Sequence, residues 1–343
     1  MVYISVGTRF LANVEALNMV ETVGNISKHR RAPIIFKTEE GFALRYVPAI
    51  SGESFAHAYQ EALVAIAEQL YVDQPPICQY CRRGEFFKSM DNRHAIKEAL
   101  QALKSGKTVE EQKLGFELET IKGCLVEDIG GFLYAEATPV RRTSRFEVSY
   151  IIPVYEAIEA TAIEPQFHSR QAPSEARAEE SEKAQRAAQM IYYIETASAL
   201  YGFSFNIDLR GIGRTSMIEV KDAVSREERI RRVKVALGAL ALTLTGVAFG
   251  AKRSRFLPIS EINNMIAVIS SRIPFSISSP VTNNYIEKTV ERVKSLRKLL
   301  SELGVKNEIK VLVYGAKVDD GEILKSPEDL MERLIKLALE WLE

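Results

Sequence analysis

The segment that most constrains the fold is residues 2–16, where apolar and polar side chains alternate. Its apolar positions are Val2, Ile4, Val6, Phe10, Ala12, Val14 and Ala16. Because successive side chains of a strand point to opposite faces of a sheet, this pattern predicts a long strand with one buried face and one polar face. The same alternation at residues 196–207 predicts a second such strand.

Two amphipathic helices are predicted in addition to these strands. The first follows Ser51, a good N-cap residue, and runs to about residue 70 with apolar side chains at spacings of three and four. The second is predicted at 226–247. Shorter strand-like patterns lie at 116–126, at 145–152 and in a segment that ends near residue 270. The best elements therefore follow the order strand, helix, strand, strand, helix, strand.

This order is that of the ferredoxin-like fold and of RNA-recognition-motif domains. The sequence thus predicts an α+β chain, with a modified RNA-recognition-motif core (ferredoxin-like, βαββαβ) that carries large insertions. We expect a discontinuous core of residues 1–72, 116–165 and 190–275, an insertion at 73–115, a mobile loop at 166–189, and a C-terminal helix–strand–helix unit at 276–343 packed on the core.

Bulk charge does not indicate a nucleic-acid-binding protein, because 45 Lys and Arg residues balance 45 Asp and Glu residues. Any such function must depend on local basic patches. The uncharged run at 235–251 is shorter than the roughly 20 apolar residues that span a bilayer, so it predicts a core helix. The N-terminus lacks the pattern of a signal peptide, and the cysteine content suits a reducing compartment. We therefore expect a cytoplasmic protein without membrane contact.

Three clusters of basic residues lie at the ends of predicted core elements. They are Lys28, His29, Arg30 and Arg31; Arg141, Arg142 and Arg145; and Lys252, Arg253 and Arg255. Guanidinium groups bind phosphate oxygens in a bidentate manner, and nearby Ser or Thr hydroxyls add neutral donors. The clusters therefore favour a phosphate-binding surface, with a solvated loop or an internal ion pair as the alternative for each.

Cys78 and Cys81 have the spacing of a zinc knuckle, and His94 follows further along the chain. These residues are weak candidates for a metal site, which Cys124 or His94 would complete. Two free thiols or a disulfide are the alternatives. Apart from this optional zinc ion, no cofactor is expected.

No catalytic motif stands out, since the chain has no Walker loop, no nucleophile elbow and no HExxH. The acid pair Glu127–Asp128 could serve metal-dependent RNA cleavage, although an internal ion pair is the commoner role for such residues. His168 stands beside Arg170 ahead of a polar segment, where an imidazole can stack on a base or bind a phosphate.

Several longer motifs, in the same order along the chain, resemble those of the DevR-like backbone subunits of archaeal type I-A CRISPR Cascade complexes. The motifs are VETVGNISKHRRAPI (20–34), RYVPAISGESFAHAYQ (45–60), DIGGFLYA with PVRRTSR (128–145), PQFHSR (165–170) and GAKRSRFLP (250–258). The resemblance covers most of the chain.

The resemblance implies a CRISPR RNA-binding subunit that is not a nuclease. Members of that family have a modified RNA-recognition-motif core, a thumb, to which 166–189 would correspond, and a finger-like lid, to which 73–115 would correspond. Copies assemble side by side along one CRISPR RNA, grip its backbone without reading its sequence, and display the guide bases for pairing with invader DNA. The expected partners are CRISPR RNA, target DNA through the guide, further copies of the chain, and other Cascade subunits.

Carried onto this sequence, the resemblance implies RNA contacts at matching motif positions. These are Asn25, Lys28, His29, Arg30, Ser51, Gly52, Ser54, Arg141, Arg142, Arg145, His168, Lys252, Arg253 and Arg255. The first residues of the helix after Ser51 are a natural phosphate site. The polar faces of the two long strands lack exposed aromatic residues on which bases could stack, which agrees with a sequence-independent grip. The Cys78–Cys81 pair departs from the family pattern.

Two other functions stay open on the sequence. A metal-dependent ribonuclease, like the backbone subunits of type III effector complexes, would need an acid at the RNA groove, and Asp128 is the best candidate. A structural or regulatory protein that binds no nucleic acid is the third hypothesis.

Overall fold

The structure is a computed structural model that describes residues 2–171 and 189–342, except for the side chains of residues 170–171 and 189–190. The strands are β1 (Tyr3–Glu15), β2 (Met19–Val23), β3 (Ile26–His29), β4 (Arg31–Thr38), β5 (Gly41–Pro48), β6 (Phe132–Tyr134), β7 (Val140–Arg142), β8 (Phe146–Val148), β9 (Ile152–Pro153), β10 (Ala162–Gln171), β11 (Gln189–Asp208), β12 (Ile259–Ser270), β13 (Ile309–Tyr314) and β14 (Glu322–Leu324). The helices are α1 (Gly52–Leu70), α2 (Gln79–Arg82), α3 (Lys97–Ser105), α4 (Val109–Gly123), α5 (Leu125–Gly130), α6 (Arg226–Thr245), α7 (Tyr285–Glu302) and α8 (Pro327–Glu340).

A mixed sheet built around β1 and β11 organises the described residues. β1 is antiparallel to both of its neighbours, β11 and β12, while β8 pairs antiparallel with the other edge of β11. The four strands thus lie in the order β12–β1–β11–β8. β13 and β14 extend the sheet beyond β12, and β3 and β2 extend it from the N-terminal half of β11. The chain is therefore of the α+β class, as predicted.

Helices α1 and α6 close the main hydrophobic core on one face of this sheet. Phe55 and Tyr59 of α1 pack against Phe203 and Phe205 of β11, with ring centroids 5.2 Å apart in each pair. The Tyr59 hydroxyl donates to the Ala236 carbonyl of α6 at 3.0 Å, which satisfies the one polar group of that buried ring. Burial of each large apolar side chain contributes about 1.5–3 kcal/mol, so these contacts fix both helices on the sheet.

The second face of β1 carries polar residues, as predicted, but it is covered by other parts of the chain rather than open to solvent. Ser5 and Arg9 are buried, because the segment before α7 and α7 itself cover them. Arg9 donates to the Pro280 carbonyl at 2.6 Å and pairs with Glu156 at 2.5 Å. Gly7 allows this approach, since a Cβ there would lie 2.3 Å from Ile277 Cδ1. The C-terminal part of the chain thus covers the polar face of the two long strands.

The strand predicted at 116–126 is also wrong, since most of these residues belong to helix α4. Thr108 and Glu111 form a capping box, which starts the helix well before the apolar run. Phe116 and Thr120 are both buried, four residues apart, and Phe116 packs on Tyr134 with ring centroids 4.5 Å apart. The sequence FELETI alternates, but the upstream cap and this packing decide in favour of a helix.

β10 and β11 form a long antiparallel hairpin in which Ala162 lies opposite Ser198 and Gln171 lies opposite Gln189. The loop expected at 166–189 is wrong for residues 166–171, which belong to β10, and for Gln189, which belongs to β11. Residues 172–188 lie outside the described part of the chain. The strand predicted at 145–152 is reduced to β8 and β9, both of which pair with β11.

None of the helices in the described ranges is both long enough and apolar enough to cross a membrane. The uncharged run at 235–251 forms the second half of α6 and the loop that follows it.

Candidate nucleic-acid interface

The N-terminus of α1 is the meeting point of three sequence motifs. Ser51 caps the helix, and its hydroxyl accepts a hydrogen bond from the Ser54 amide at 3.3 Å. Asn18 Oδ1 accepts from the Ser51 amide at 2.8 Å and from Arg30 Nε at 2.9 Å. One asparagine side chain thus holds the guanidinium of Arg30 beside the start of the helix. Sequence patterns missed Asn18, because it lies in an irregular link between two strands.

The loop after α6 brings the third motif to the same place. The Ala251 amide donates to the Leu17 carbonyl at 2.7 Å. Gly250 has a φ of +90°, and a Cβ added there would lie 2.7 Å from Leu17 Cβ. Arg253 then turns back and donates to the carbonyls of Val247 and Phe249. Arg253 therefore holds the residues that follow α6 in place and also lines the space in front of α1.

The resulting cleft has a volume of about 430 Å³. Four residues predicted to contact RNA line it, namely Arg30, Ser51, Ser54 and Arg253. The helix side also carries Glu53 and Glu61, and Glu61 lies 3.4 Å from His57 Nε2. The positive charge of the cleft therefore comes from the two arginines and the helix dipole, at the end of α1 rather than along its side.

A neighbouring cleft of about 480 Å³ shares Ser51 and Glu53 with the first one. Gly52, Lys88, Ser144 and Tyr150 also line it. Tyr150 lies within hydrogen-bonding distance of Arg30, at 3.4 Å, and so connects the two clefts. A Cβ on Gly52 would lie 2.8 Å from the Val148 carbonyl, so a side chain there would disturb this wall.

A second group of predicted residues surrounds Tyr192 on β11. The His168 ring stacks on Tyr192 with centroids 5.2 Å apart, and Arg255 donates to the Tyr192 hydroxyl at 3.2 Å. His168 Nε2 is buried and has no hydrogen-bond partner among the described residues. Asn25 lies in the turn between β2 and β3, and its side chain donates at 3.3 Å to the carbonyl of Ile191, the residue before Tyr192 on β11. Lys28 is half-buried on β3 and Lys252 is half-buried in the loop after α6.

His29 was predicted to contact RNA, but its side chain is buried and stabilises the fold instead. It is buried, with Nε2 2.8 Å from Glu15 Oε1 and Nδ1 2.8 Å from the Arg30 carbonyl. The hydroxyl of Tyr201 donates to the same Glu15 oxygen at 2.6 Å. Burial alone would lower the pKa of His29, but the hydrogen bond and charge of Glu15 outweigh it and raise that pKa above 6.5.

The basic turn at 141–145 divides between surface and interior. Arg141 is exposed, whereas Arg142 is buried and donates to Glu117 at 3.1 Å and to Asp128 at 2.5 Å. Arg145 is half-buried and donates to the Ser216 hydroxyl at 2.9 Å. Burial and the adjacent charge of Arg142 lower the pKa of Arg145. Arg142 therefore holds the fold together, and only its neighbours reach solvent.

Asp128 lies inside this same network and not at a groove. It is buried, accepts from Arg232 at 2.8 Å and from the Gly213 amide at 2.9 Å, and pairs with Arg142. Buried charges persist where they are paired and hydrogen-bonded, and both carboxylate oxygens are used here.

Of the predicted metal ligands, Cys78 and Cys81 lie in one cluster and His94 lies outside it. Cys78 and Cys81 are joined by a third thiol, that of Cys124, and by the carboxylate of Glu127. His94 instead pairs with Asp91 at 2.7 Å and packs its ring on Tyr80. The group therefore includes Cys124, one of the two residues proposed to complete it, and does not include His94.

Comparisons with known proteins agree with the resemblance in sequence. The family model described as CRISPR-associated negative auto-regulator DevR/Csa2 matches residues 6–290. The aCascade subunit Cas7/Csa2 2 of Saccharolobus solfataricus is 37% identical over 339 residues, which cover 96% of this chain and 99% of that protein. The CRISPR-associated protein Cas7/Csa2 1 of the same organism is 36% identical over 324 residues, 94% of each chain. A solved chain described as a CRISPR RNA-guided surveillance complex, pre-nicking, shares the fold, with a TM-score of 0.53 at 10% identity over 98% of this chain and 99% of that chain.

These matches define the class of the protein as a CRISPR-associated Cascade subunit, and they confirm the resemblance to archaeal type I-A backbone subunits. The chain belongs to the DevR/Csa2 family.

Proposed function

We propose that this chain binds CRISPR RNA as the backbone subunit of a type I-A Cascade complex and grips the phosphates of the RNA at the N-terminus of α1. One observation carries the proposal. Arg30, Ser51 and Arg253 come from three distant motifs, yet they line one cleft. The chain acts by binding, and its partners are the RNA, target DNA through the guide, copies of itself and other Cascade subunits.

The chemistry of the cleft suits a phosphate group. The first amides of a helix have no partner within the helix and carry a partial positive charge, so they attract anions. Arginine adds bidentate donors, and the serine hydroxyls add neutral ones. These contacts read the backbone and not the base, which supports a grip that is independent of RNA sequence.

The aromatic group around Tyr192 supplies the second kind of contact. Tyr192, His168 and Phe256 pack on one another, and Arg255 adds a cation beside them. Stacking of a base on an aromatic ring tolerates any sequence, and a nearby arginine strengthens it. This group lies toward the Gln171–Gln189 end of the β10–β11 hairpin. We assign the hairpin as the thumb that reaches over the RNA.

We also assign the core to the modified RNA-recognition-motif type, with 73–115 as the lid. Support comes from the antiparallel order β12–β1–β11–β8 and from the position of α1 and α6 on one face. The covered face beneath Pro280 explains why the long strands carry no exposed aromatic residues. RNA therefore binds at the edge formed by the N-terminus of α1 and by β3, rather than across the sheet.

A solvent-exposed apolar surface on the β4–β5 hairpin supports assembly of copies side by side. Ile35 lies opposite Leu44, and Pro33 lies opposite Tyr46, so these residues share one face of the hairpin. Phe42, on the same face, is 79% exposed and Tyr46 is 68% exposed. Large exposed apolar patches mark interaction sites, and we assign this one to the next copy in a filament.

The ribonuclease hypothesis is not favoured. Asp128 was its best candidate acid, and this carboxylate is buried between Arg142 and Arg232. A metal-dependent cleavage step would need an acid that can reach the RNA and a metal ion. Target RNA incubated with the purified chain and Mg²⁺ should remain intact, and periodic cleavage products would restore the hypothesis.

A direct test of the proposed function is to mix the purified full chain with RNAs of increasing length and measure the mass of each complex by light scattering. A subunit that polymerises along RNA gives a mass that rises in steps with RNA length. A constant monomer mass at every RNA length, without bound RNA, would contradict the proposal and favour a protein that binds no nucleic acid.

A further inference from the structure

Four potential metal ligands converge at the base of the helical insertion. They form two pairs with the same spacing, Cys78-x-x-Cys81 and Cys124-x-x-Glu127, separated by the whole of α3 and α4. The three sulfur atoms and a carboxylate oxygen all lie within 4.8 Å of one another. Residues so distant in sequence come together only through the fold, which brings α2 against the start of α5.

These four side chains are largely buried, and one of their polar atoms has no hydrogen-bond partner among the described residues. Cys81, Cys124 and Glu127 are fully buried, and the cysteines belong to the main core. Glu127 Oε2 accepts from the Ser89 amide at 2.8 Å, but Oε1 is buried with no hydrogen-bond partner among the described residues. An ionised carboxylate in the interior is costly unless a cation or a donor compensates it, so an open oxygen facing three thiols is unusual.

We propose that Cys78, Cys81, Cys124 and Glu127 bind one Zn²⁺ ion. Zinc prefers four ligands in a tetrahedral arrangement and accepts thiolate sulfur at about 2.3 Å and carboxylate oxygen at about 2.0–2.2 Å. The four groups give a closed set of protein ligands, which is the mark of a structural site rather than a catalytic one. Each thiol gives up its proton to solvent as its sulfur binds the metal.

Two neighbouring contacts suit a bound zinc ion. The Cys81 amide points at Cys78 Sγ at 3.5 Å, and a backbone donor of this kind stabilises a thiolate. Three thiolates and one carboxylate carry two more negative charges than Zn²⁺ neutralises. Lys88 donates to the Gly130 carbonyl of α5 at 2.8 Å, and its ammonium offsets part of that excess.

The ion would fasten the insertion to the core. The Leu125 amide already donates to the Pro76 carbonyl at 2.8 Å, so the two segments meet at the proposed site. A metal that joins both segments closes the long loop between Cys81 and Cys124 and stabilises the folded state, because the unfolded chain has no preformed site. This role is independent of RNA binding.

The test is the metal content of the full chain, purified without chelator and under reducing conditions. We expect one zinc ion per chain by inductively coupled plasma mass spectrometry. Replacement of zinc by Co²⁺ should give the strong visible absorption of a tetrahedral thiolate site. Glu127→Gln and Cys78→Ser should each reduce zinc content well below equimolar. His94→Ala is the matched control and should retain the metal.

Removal of the metal gives a readout that does not depend on any variant. Treatment with a strong chelator should lower the midpoint of thermal unfolding of the wild-type chain, and added zinc should restore it. The proposal is overturned by three reactive thiols with no bound zinc in the folded protein, by iron in place of zinc, or by a Cys78–Cys81 disulfide detected from the mass of the unreduced chain.

Discussion

The guanidinium of Arg255 donates a hydrogen bond to the hydroxyl of Tyr192 at 3.2 Å. This contact joins the basic loop after α6 to the hairpin of β10 and β11. The loop is fixed at its other end by the Ala251 amide, which donates to Leu17. A single short segment thus connects the cleft at α1 with the aromatic group on β11, so we expect RNA that binds one of them to pass the other.

Tyr192 provides a test of base stacking on the aromatic group of β11. Tyr192→Ala should weaken binding of single-stranded RNA by about 1–3 kcal/mol, because one aromatic platform is lost. Tyr192→Phe keeps the ring and should bind nearly as well as the wild type. Fluorescence anisotropy with labelled RNA measures both. If the two variants lose the same affinity, the hydroxyl contact with Arg255 matters and stacking does not.

Asp128 should behave as a structural residue. Asp128→Asn removes the carboxylate that Arg142 and Arg232 share in the interior, and leaves each arginine with one acid, Glu117 for Arg142 and Glu228 for Arg232. Because breaking a buried ion pair is strongly destabilising, we expect a loss of about 3–5 kcal/mol of unfolding free energy in chemical denaturation. Asp222→Asn is the matched control, since Asp222 pairs with Arg214 at the surface and such pairs contribute about 0–1 kcal/mol. An Asp128→Asn chain of unchanged stability would show that the buried network is not formed.

His29 should make stability depend on pH. Its pKa in the folded chain is raised above 6.5 by Glu15 despite burial. A group with a raised folded pKa stabilises the protein fully below its unfolded pKa, and this contribution is lost as the pH rises through the folded pKa. The gap in melting temperature between wild type and His29→Gln should therefore be widest below about pH 6.5 and narrow at higher pH. His57→Gln, at an exposed position on α1, serves as the control, and a gap that widens with pH would refute the assignment.

The hairpin surface tests assembly separately from RNA contact. Phe42→Ser combined with Tyr46→Ser removes exposed apolar area that the monomer does not need, so the monomer should keep its melting temperature. On a long RNA the variant should form shorter assemblies in light scattering than the wild type does. Substitution of Val20 and Val23, exposed valines on β2, is the comparison. Equal assembly by both variants would exclude this face as the contact between copies.

Local patterns predicted the long elements of the core well. The alternation in β1 and β11 and the cap at Ser51 specify those elements through nearby residues. The structure has β1 and α1 close to the predicted bounds, whereas β11 begins at Gln189, seven residues before the predicted strand. The prediction of a strand at 116–126 was wrong because it considered only the alternation within those residues. The helix is started by the capping box of Thr108 and Glu111, which lies upstream of them. Burial of Ser5 and Arg9 was missed because the covering segment lies more than 250 residues away.

Some of the predicted site residues lie at the surface and others are buried, and the sequence could not separate them because the buried ones have partners distant in sequence. Arg141 and Arg142 are identical in type and adjacent, yet strand geometry sends them to opposite faces. The acids that pair with Arg142, Glu117 and Asp128, come from two helices, so sequence patterns could not tell an internal ion pair from a phosphate contact. A helix cap and clustered arginines are local signals, so the sequence marked Arg30, Ser51 and Arg253 as candidates, and the structure shows that they line one cleft. Their contact with RNA stays a prediction.

The central claim is that the cleft at α1 holds RNA phosphates, and the salt dependence of RNA affinity tests it most directly. Binding of two RNAs of unrelated sequence should be measured over a range of salt concentrations for wild type, for Arg30→Gln combined with Arg253→Gln, and for Arg333→Gln, a control at the C-terminal helix. The double variant should bind both RNAs more weakly, with the same loss of affinity for each sequence. The magnitude of the slope of log affinity against log salt should decrease by about 0.7 for each lost phosphate contact. A slope equal to that of the wild type and the Arg333→Gln control would contradict the claim.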